Sequence, residues 1–287
     1  VSNEAALQNN KISVAAFALL GLTGPALAAD LPSTKSPLAT FADGEWLVSL
    51  AIGPQAVNQF PGSKTYTVVP TGSIDRYHPG DPAPFHAPDD GFSIAVFDTG
   101  GFKAGPVARF VERRGLSDGN GNFVGLHNVH TTLELGGFIE FWAMDFFRTR
   151  LEVRQAVNGH NGLEANFAMD GVKRVGPWTF SAGPRFAYGS DSFMSSYFSV
   201  SPAEAAINGR VTPFQASAGF DMVGAIATAR YDFNSSWNVT VFGGYNRLVG
   251  DAGASPISIN LGSRDEFTGG ATIGYTFAWN KLGIFGF

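Results

Sequence analysis

The stretch Trp237–Arg247, WNVTVFGGYNR, separates into two sequences when alternate residues are read. Trp237, Val239, Val241, Gly243 and Tyr245 are apolar or aromatic, apart from one glycine. Asn238, Thr240, Gly244 and Asn246 are small and polar, with Phe242 as the exception. A period of two is that of a β-strand with one dry face and one wet face. The two rings sit at the ends of the dry face, eight positions apart. A soluble sheet more often places large rings mid-strand, in its core. An outer-membrane barrel places them at both lipid–water interfaces.

The same pattern recurs along the chain. Trp46, Val48, Leu50 and Ile52 alternate with polar or small residues, and so do Leu133, Leu135, Gly137, Ile139 and Phe141. Phe147, Thr149, Leu151 and Val153 stand against Arg148, Arg150, Glu152 and Arg154. Leu163, Ala165, Phe167 and Met169 stand against Glu164, Asn166 and Asp170. Further alternating runs lie at 178–188, 214–222, 227–233 and 266–277, with weaker ones at 64–75, 91–98 and 104–113. The apolar parity changes between Met222 and Ala225, which reads as a turn at Val223-Gly224. Turn signals such as DGNGN and NGHNG separate the runs, giving an antiparallel meander.

The polar face decides between a soluble sandwich and a membrane barrel. It carries Glu134, Glu140, Arg148, Arg150, Glu152, Arg154, Arg185, Asp221 and Arg230, which need water or a charge-paired lumen. The opposite face carries the candidate interface aromatics Trp46, Trp178, Tyr188, Trp237 and Tyr245. Eight residues at about 3.3 Å each, tilted by about 40°, span roughly 20 Å, close to the apolar band of about 25 Å. The expected fold is all-β: an antiparallel transmembrane β-barrel of the outer membrane with 10–12 strands, twelve favoured, over residues 45–277. The connections 113–130, 189–212 and 249–265 are all long. In an even-numbered barrel with both ends of the chain on one side, they cannot all lie at one end.

Composition agrees. Charged residues are 15% of the 287, against about 25% in soluble domains. There are 36 glycines and 26 phenylalanines. No apolar run in the body of the chain is long enough for a transmembrane helix. A net charge of −5 argues against a nucleic-acid partner. With no cysteine, disulfides, thiol catalysis and thiolate-bound zinc are excluded. Near the start, KISVAAFALLGLTGPALAAD combines Lys11, an apolar stretch and small residues at Ala26 and Ala28. It reads as a cleaved secretory signal over residues 1–28, followed by an extended leader at 29–44. Residues 278–287 form a C-terminal extension. The expected location is the outer membrane of a Gram-negative bacterium, in contact with its lipid.

Chemistry of an enzymatic kind is weakly signalled. His127 and His130 are three apart, on opposite faces if the segment is a strand, and make a poor metal pair. DGNGN at 118–122 lacks the glycine and glutamate of a calcium loop at Phe123 and Val129. No catalytic residue, cofactor or metal is expected. The charged ladder 148–154 reads either as an anion-selective constriction or as lumen filling by paired charges. The connection 189–212 offers Phe193, Tyr197 and Phe198 as exposed partner-binding aromatics, or as a plug of the barrel mouth. Within it SPAEAA reads as a helix start with Ser201 as N-cap, Pro202 first and Glu204 at N3.

Several stretches resemble the MipA/OmpV family, the MltA-interacting proteins of the Gram-negative outer membrane. SFMSSYFSVSPAEA (192–205) is similar to that family's YFGV segment, with Ser199 where glycine is usual. GGYNRLVGDAGASPI (243–257) resembles its most specific motif, and GSRDEFTGGATIGYTF (262–277) its terminal strand. GLHNVHTTLELGGFIE (125–140) is a looser match. The chain runs on past Phe277, so either Phe277 or Phe287 could serve as the C-terminal aromatic assembly signal. The resemblance implies a non-enzymatic scaffold for peptidoglycan-remodelling enzymes, with a murein lytic transglycosylase and a murein synthase as partners. An outer-membrane pore affecting permeability or antibiotic susceptibility is the second reading, and a barrel hydrolase the third.

Overall fold

The structure is a computed structural model that describes residues 46–279 apart from 82 and 117. The expected signal segment, the leader and the C-terminal extension from residue 280 lie outside these residues.

Ten long strands form the wall: β1 (Leu47–Asn58), β2 (Tyr66–Tyr77), β5 (Phe102–Val111), β6 (Thr132–Met144), β7 (Phe147–Ala156), β8 (Leu163–Val175), β9 (Trp178–Gly189), β10 (Gly219–Asp232), β11 (Trp237–Leu248) and β12 (Asp265–Ala278). Two short pieces, β3 (Phe92–Ser93) and β4 (Phe97–Asp98), both pair with β5. Backbone hydrogen bonds from Ile94 to Pro106 and from Val96 to Ala104 join them into one irregular strand position. The wall therefore has eleven positions, or twelve strands if the two pieces are counted apart. The run read at 214–222 is no separate strand. The parity change near Met222 is a register shift between Phe220 and Met222 inside the single strand β10. An extra residue moves the following side chains to the other face without reversing the chain, so the expected turn at Val223-Gly224 is a bulge.

The strand order is β2-β1-β12-β11-β10-β9-β8-β7-β6-β5-β3. Every neighbouring pair is antiparallel. Ten such steps separate β2 from β3, so these two edge strands run in the same direction. No hairpin can join parallel neighbours, and the 78–91 connection must return along the barrel. The same count places the three long connections together. The segments between β5 and β6, β9 and β10, and β11 and β12 all leave from one end. Leu47 and Ala278, the ends of the described barrel, lie at the other end with the short turns. The expected conflict among the long loops dissolves because the wall has an odd number of positions.

Local alternation fixes the faces. Trp178, Phe180 and Tyr188 of β9 point outward, while Ser181, Arg185 and Ala187 are buried in the lumen. Outward rings pair across strands at both ends. Trp178 meets Tyr231, and Trp237 meets Tyr275, at the end with the short turns. Tyr188 meets Phe220, and Tyr245 meets Phe267, at the other. Trp46 stands outward beside His78 and Arg76. Such rings carry an apolar body and a polar edge, which suits the two interfaces of a bilayer. Glycines let the strands coil tightly. At Gly136 and Gly183 an added Cβ would stand 1.9 and 1.7 Å from the carbonyl oxygens of Val153 and Met169.

The large buried apolar cluster is not in the barrel but over its mouth. The long connections contribute α1 (Asp118–Gly121), α2 (Asp191–Phe198), α3 (Pro202–Asn208), α4 (Gly250–Ala254) and a π-helical turn at Ile257–Leu261. Phe60, Phe123, Leu126, Tyr197, Phe198 and Ile257 are among the residues that pack there.

Candidate functional site: an occupied lumen under a folded cap

The lumen is built by inward residues of β6–β9 and by the return segment 78–91. Arg148 is fully buried and donates to three carboxylates: Asp90 at 2.5 Å, Asp170 at 2.8 Å and Glu140 at 2.9 Å. Arg150 pairs with Glu152 at 2.8 Å and Glu140 at 3.2 Å. Its guanidinium also lies 3.9 Å from the Phe138 ring centroid. Arg154 donates to Glu152 at 2.6 Å, Glu134 at 2.8 Å and Glu164 at 2.9 Å, and also to Asn166. Arg185 joins Asp89 at 2.6 Å and Asp170 at 2.7 Å. Buried charges persist only when paired and hydrogen-bonded, and here each guanidinium fork meets two or three acceptors.

Asp89 and Asp90 belong to the return segment. Gly91 extends the anchorage by donating its backbone N–H to Glu152 at 3.0 Å, and Arg109 donates to the Asp89 carbonyl at 2.6 Å. The segment crosses the lumen as a plug tied to the β6–β9 wall. Seven of the nine lumen-charge candidates from the sequence meet in this network: Glu134, Glu140, Arg148, Arg150, Glu152, Arg154 and Arg185. Arg230 sits apart and pairs with Asp232 at 2.7 Å. Asp221 also sits apart, buried under the cap with one carboxylate oxygen unpaired. Sequence reasoning missed Asp89, Asp90, Arg109, Glu164, Asp170 and His160, whose ring lies 2.9 Å from Glu134. Glu164 and Asp170 had a signal, since they share the polar half of their own strand's alternation. Asp89 and Asp90 had none, because the sequence around them reads as a loop.

The other half of the lumen differs. Between the plug and β10, β11, β12, β1 and β2 lies a cavity of about 220 Å³ whose wall mixes Ser, Thr and Asn with small apolar and charged residues. Thr179, Asp232 and Asn238 on its wall place it toward the end with the short turns. A second space of about 100 Å³ lies beside Arg150 and Arg185.

The cap closes the opposite mouth. Phe193, Met194, Tyr197 and Phe198 follow the i, i+1, i+4, i+5 pattern of one helix face, and all are at most 1% exposed. The expectation that Phe193, Tyr197 and Phe198 are exposed partner-binding aromatics is therefore corrected: they form the cap's core. Arg114 is buried and donates to the carbonyls of Tyr197 at 2.5 Å and Ser196 at 2.9 Å, pinning the 112–131 connection to α2. Burial pushes its guanidinium down to about 10, which leaves it charged at neutral pH. Burial pushes the Tyr197 phenol up. The capping box forms as its sequence reads, with Glu204 N–H to Ser201 Oγ and Ser201 N–H to Glu204 Oε2. Glu204 also accepts from His127. Partial burial opposes its charge, but the hydrogen bonds from Ser201 and His127 hold the carboxyl down to about 2. Ser199 needs no glycine, since its φ is −82°, and its hydroxyl accepts from Ala216 N–H. Phe277 closes the outward stripe of β12, and Phe287 lies outside the described residues.

An antiparallel barrel with an apolar outer face, two aromatic girdles and a charged lumen is an outer-membrane β-barrel protein. The chain belongs to the family described as MltA-interacting protein MipA, which matches residues 50–277. No curated protein matches the chain. Among solved structures, an outer membrane channel from Pseudomonas putida F1 is similar at 10% identity and TM-score 0.40, covering 86% of this chain and 99% of that one. The outer membrane protease OmpT from Escherichia coli is similar at 12% identity and TM-score 0.32, covering 84% and 99%. At these values the likeness is one of outline, and the activities of those proteins do not carry over.

Proposed function

We propose that this protein is a non-conducting, non-enzymatic outer-membrane barrel that acts as a membrane-embedded scaffold for peptidoglycan-remodelling enzymes. The observation that supports a scaffold over a pore is the occupied lumen. Four buried arginines, their carboxylates and the 78–91 plug fill one half of it, and the cap covers one mouth. The family's name links a member to MltA, and the notion of a murein lytic transglycosylase and a murein synthase as partners comes from that family alone. In barrels of this class the short turns face the periplasm and the long loops face outward. A periplasmic enzyme would then meet the end that carries Leu47, Ala278 and the short turns, not the cap.

The test is site-specific photocrosslinking in intact envelopes from Ser235 in the short turn between β10 and β11, with Ala203 in α3 as the comparison. Capture of a murein enzyme from Ser235 and not from Ala203 supports the scaffold. Capture of no murein enzyme from the short-turn end, with the barrel correctly assembled, contradicts it.

A further inference from the structure

We infer that the 220 Å³ cavity beside the plug is a binding site for a small, uncharged, hydroxyl-rich molecule of about the size of one sugar ring. The inference does not depend on any protein partner.

Three features of the cavity carry it. The first is its lining. Thr71, Thr179, Thr240, Thr272 and the Asn238 amide come from four strands and converge on one space. Hydroxyls and amides both donate and accept, which suits a ligand whose own groups do the same. Two further hydroxyls on its lining are already satisfied from outside it, Thr228 by Ser181 at 2.6 Å and Ser49 by Thr276 at 3.1 Å.

The second is the charge around it. Most ionisable groups at its rim are matched by charged neighbours; Arg174 is the exception and, among the described residues, donates only to the Ala83 carbonyl at 3.5 Å. Arg230 is paired with Asp232, Asp90 with Arg148, and the His86 ring stands between Asp75 at 3.4 Å and Asp90 at 3.6 Å. A cation would have to displace these partners and an anion would find only Arg174 beside them; a neutral ligand displaces none.

The third is shape. Phe85 from the plug and Phe242 from β11 are the two large apolar rings on its wall. Phe242 is the one residue that breaks the polar side of its strand's alternation. Pockets of this kind fix a ligand with a few polar groups and an apolar surface, and a sugar ring presents hydroxyl edges and a C–H face. The volume is below the roughly 300–1,000 Å³ of pockets for drug-sized ligands, which limits the occupant to about one ring. Access is from the end with the short turns, since the cap covers the other mouth.

The probes are glucose, N-acetylglucosamine and maltose at millimolar concentration, followed by saturation-transfer NMR on the purified full-length barrel in detergent. Magnetisation transfer to at least one sugar is expected. It should fall at least tenfold in Thr240→Val/Thr272→Val and persist in Thr268→Val, which faces the lumen outside the cavity. Normal heat-modifiable migration on gels shows that each variant is folded. Absence of transfer to all three sugars from folded protein overturns the inference. So does transfer that the double variant leaves unchanged, or binding confined to phosphate, acetate or ammonium used as charged probes.

Discussion

Arg148 Nη2 donates to Asp90 Oδ2 across 2.5 Å, joining strand β7 to a segment 58 residues earlier that is not part of the wall. The contact exists because β2 and β3 run parallel. The chain must return through the barrel between them, and the returning chain brings two aspartates to a wall rich in arginine. Without Asp89 and Asp90, Arg185 and Arg148 would each lose a carboxylate partner. Without the arginines the plug would keep only its lesser ties, such as Gly91 N–H to Glu152 and His86 beside Asp75.

Removal of Arg148 should therefore cost more than removal of Asp90. Arg148→Ala leaves Asp90, Glu140 and Asp170 facing one another in a buried space. Breaking a buried pair in this way costs about 3–5 kcal/mol. Asp90→Asn keeps Arg148 paired with Glu140 and Asp170 and should cost less. Urea midpoints from the gel shift between folded and unfolded bands give the ranking. An equal loss in both variants would mean that the plug and wall do not act as one network.

The cap should be acid-sensitive through Glu204. Its carboxyl titrates near 2 in the folded cap, below the ordinary glutamate value of about 4.3. A depressed value contributes stability that is complete above the ordinary range and is lost as pH falls toward 2. Protease cleavage within 112–131 and 190–216 should stay slow down to about pH 5 and quicken below it, read with an acid-active protease. Glu204→Gln should already be loosened at neutral pH and should show a flatter pH response. An unchanged response in that variant would place the acid sensitivity elsewhere.

Orientation follows from the long connections lying together at one end, opposite the short periplasmic turns, and can be read by labelling. The chain has no cysteine, so single cysteines report cleanly. Ala203→Cys in α3 should react with an impermeant maleimide on intact cells. Ser235→Cys should react only after the outer membrane is permeabilised. The reverse pattern would invert the barrel and move the cap to the periplasm.

The wall was legible in the sequence because each of its residues alternates with near neighbours. The faces of Trp237–Arg247, the rings at their ends and the inward charges of 148–154 all follow from a period of two. The α3 capping box was legible for the same local reason. What could not be read depends on distance. Asp89 and Asp90 gain meaning only from Arg185 and Arg148, 96 and 58 positions away. The bulge at Phe220–Met222 shifts parity as a turn does, and only pairing with β9 distinguishes them. Phe193, Tyr197 and Phe198 carry a helical spacing, but their burial is set by Phe60, Phe123 and Ile257 from three other connections.

The central claim is that the lumen is filled, and planar-bilayer recording of the purified wild-type barrel tests it most directly. No steady current is expected, because paired charges, the 78–91 plug and the folded cap block a continuous aqueous path. A large, stable conductance from the wild-type protein, with ion selectivity altered by Arg150→Glu, would contradict it and make the protein a pore.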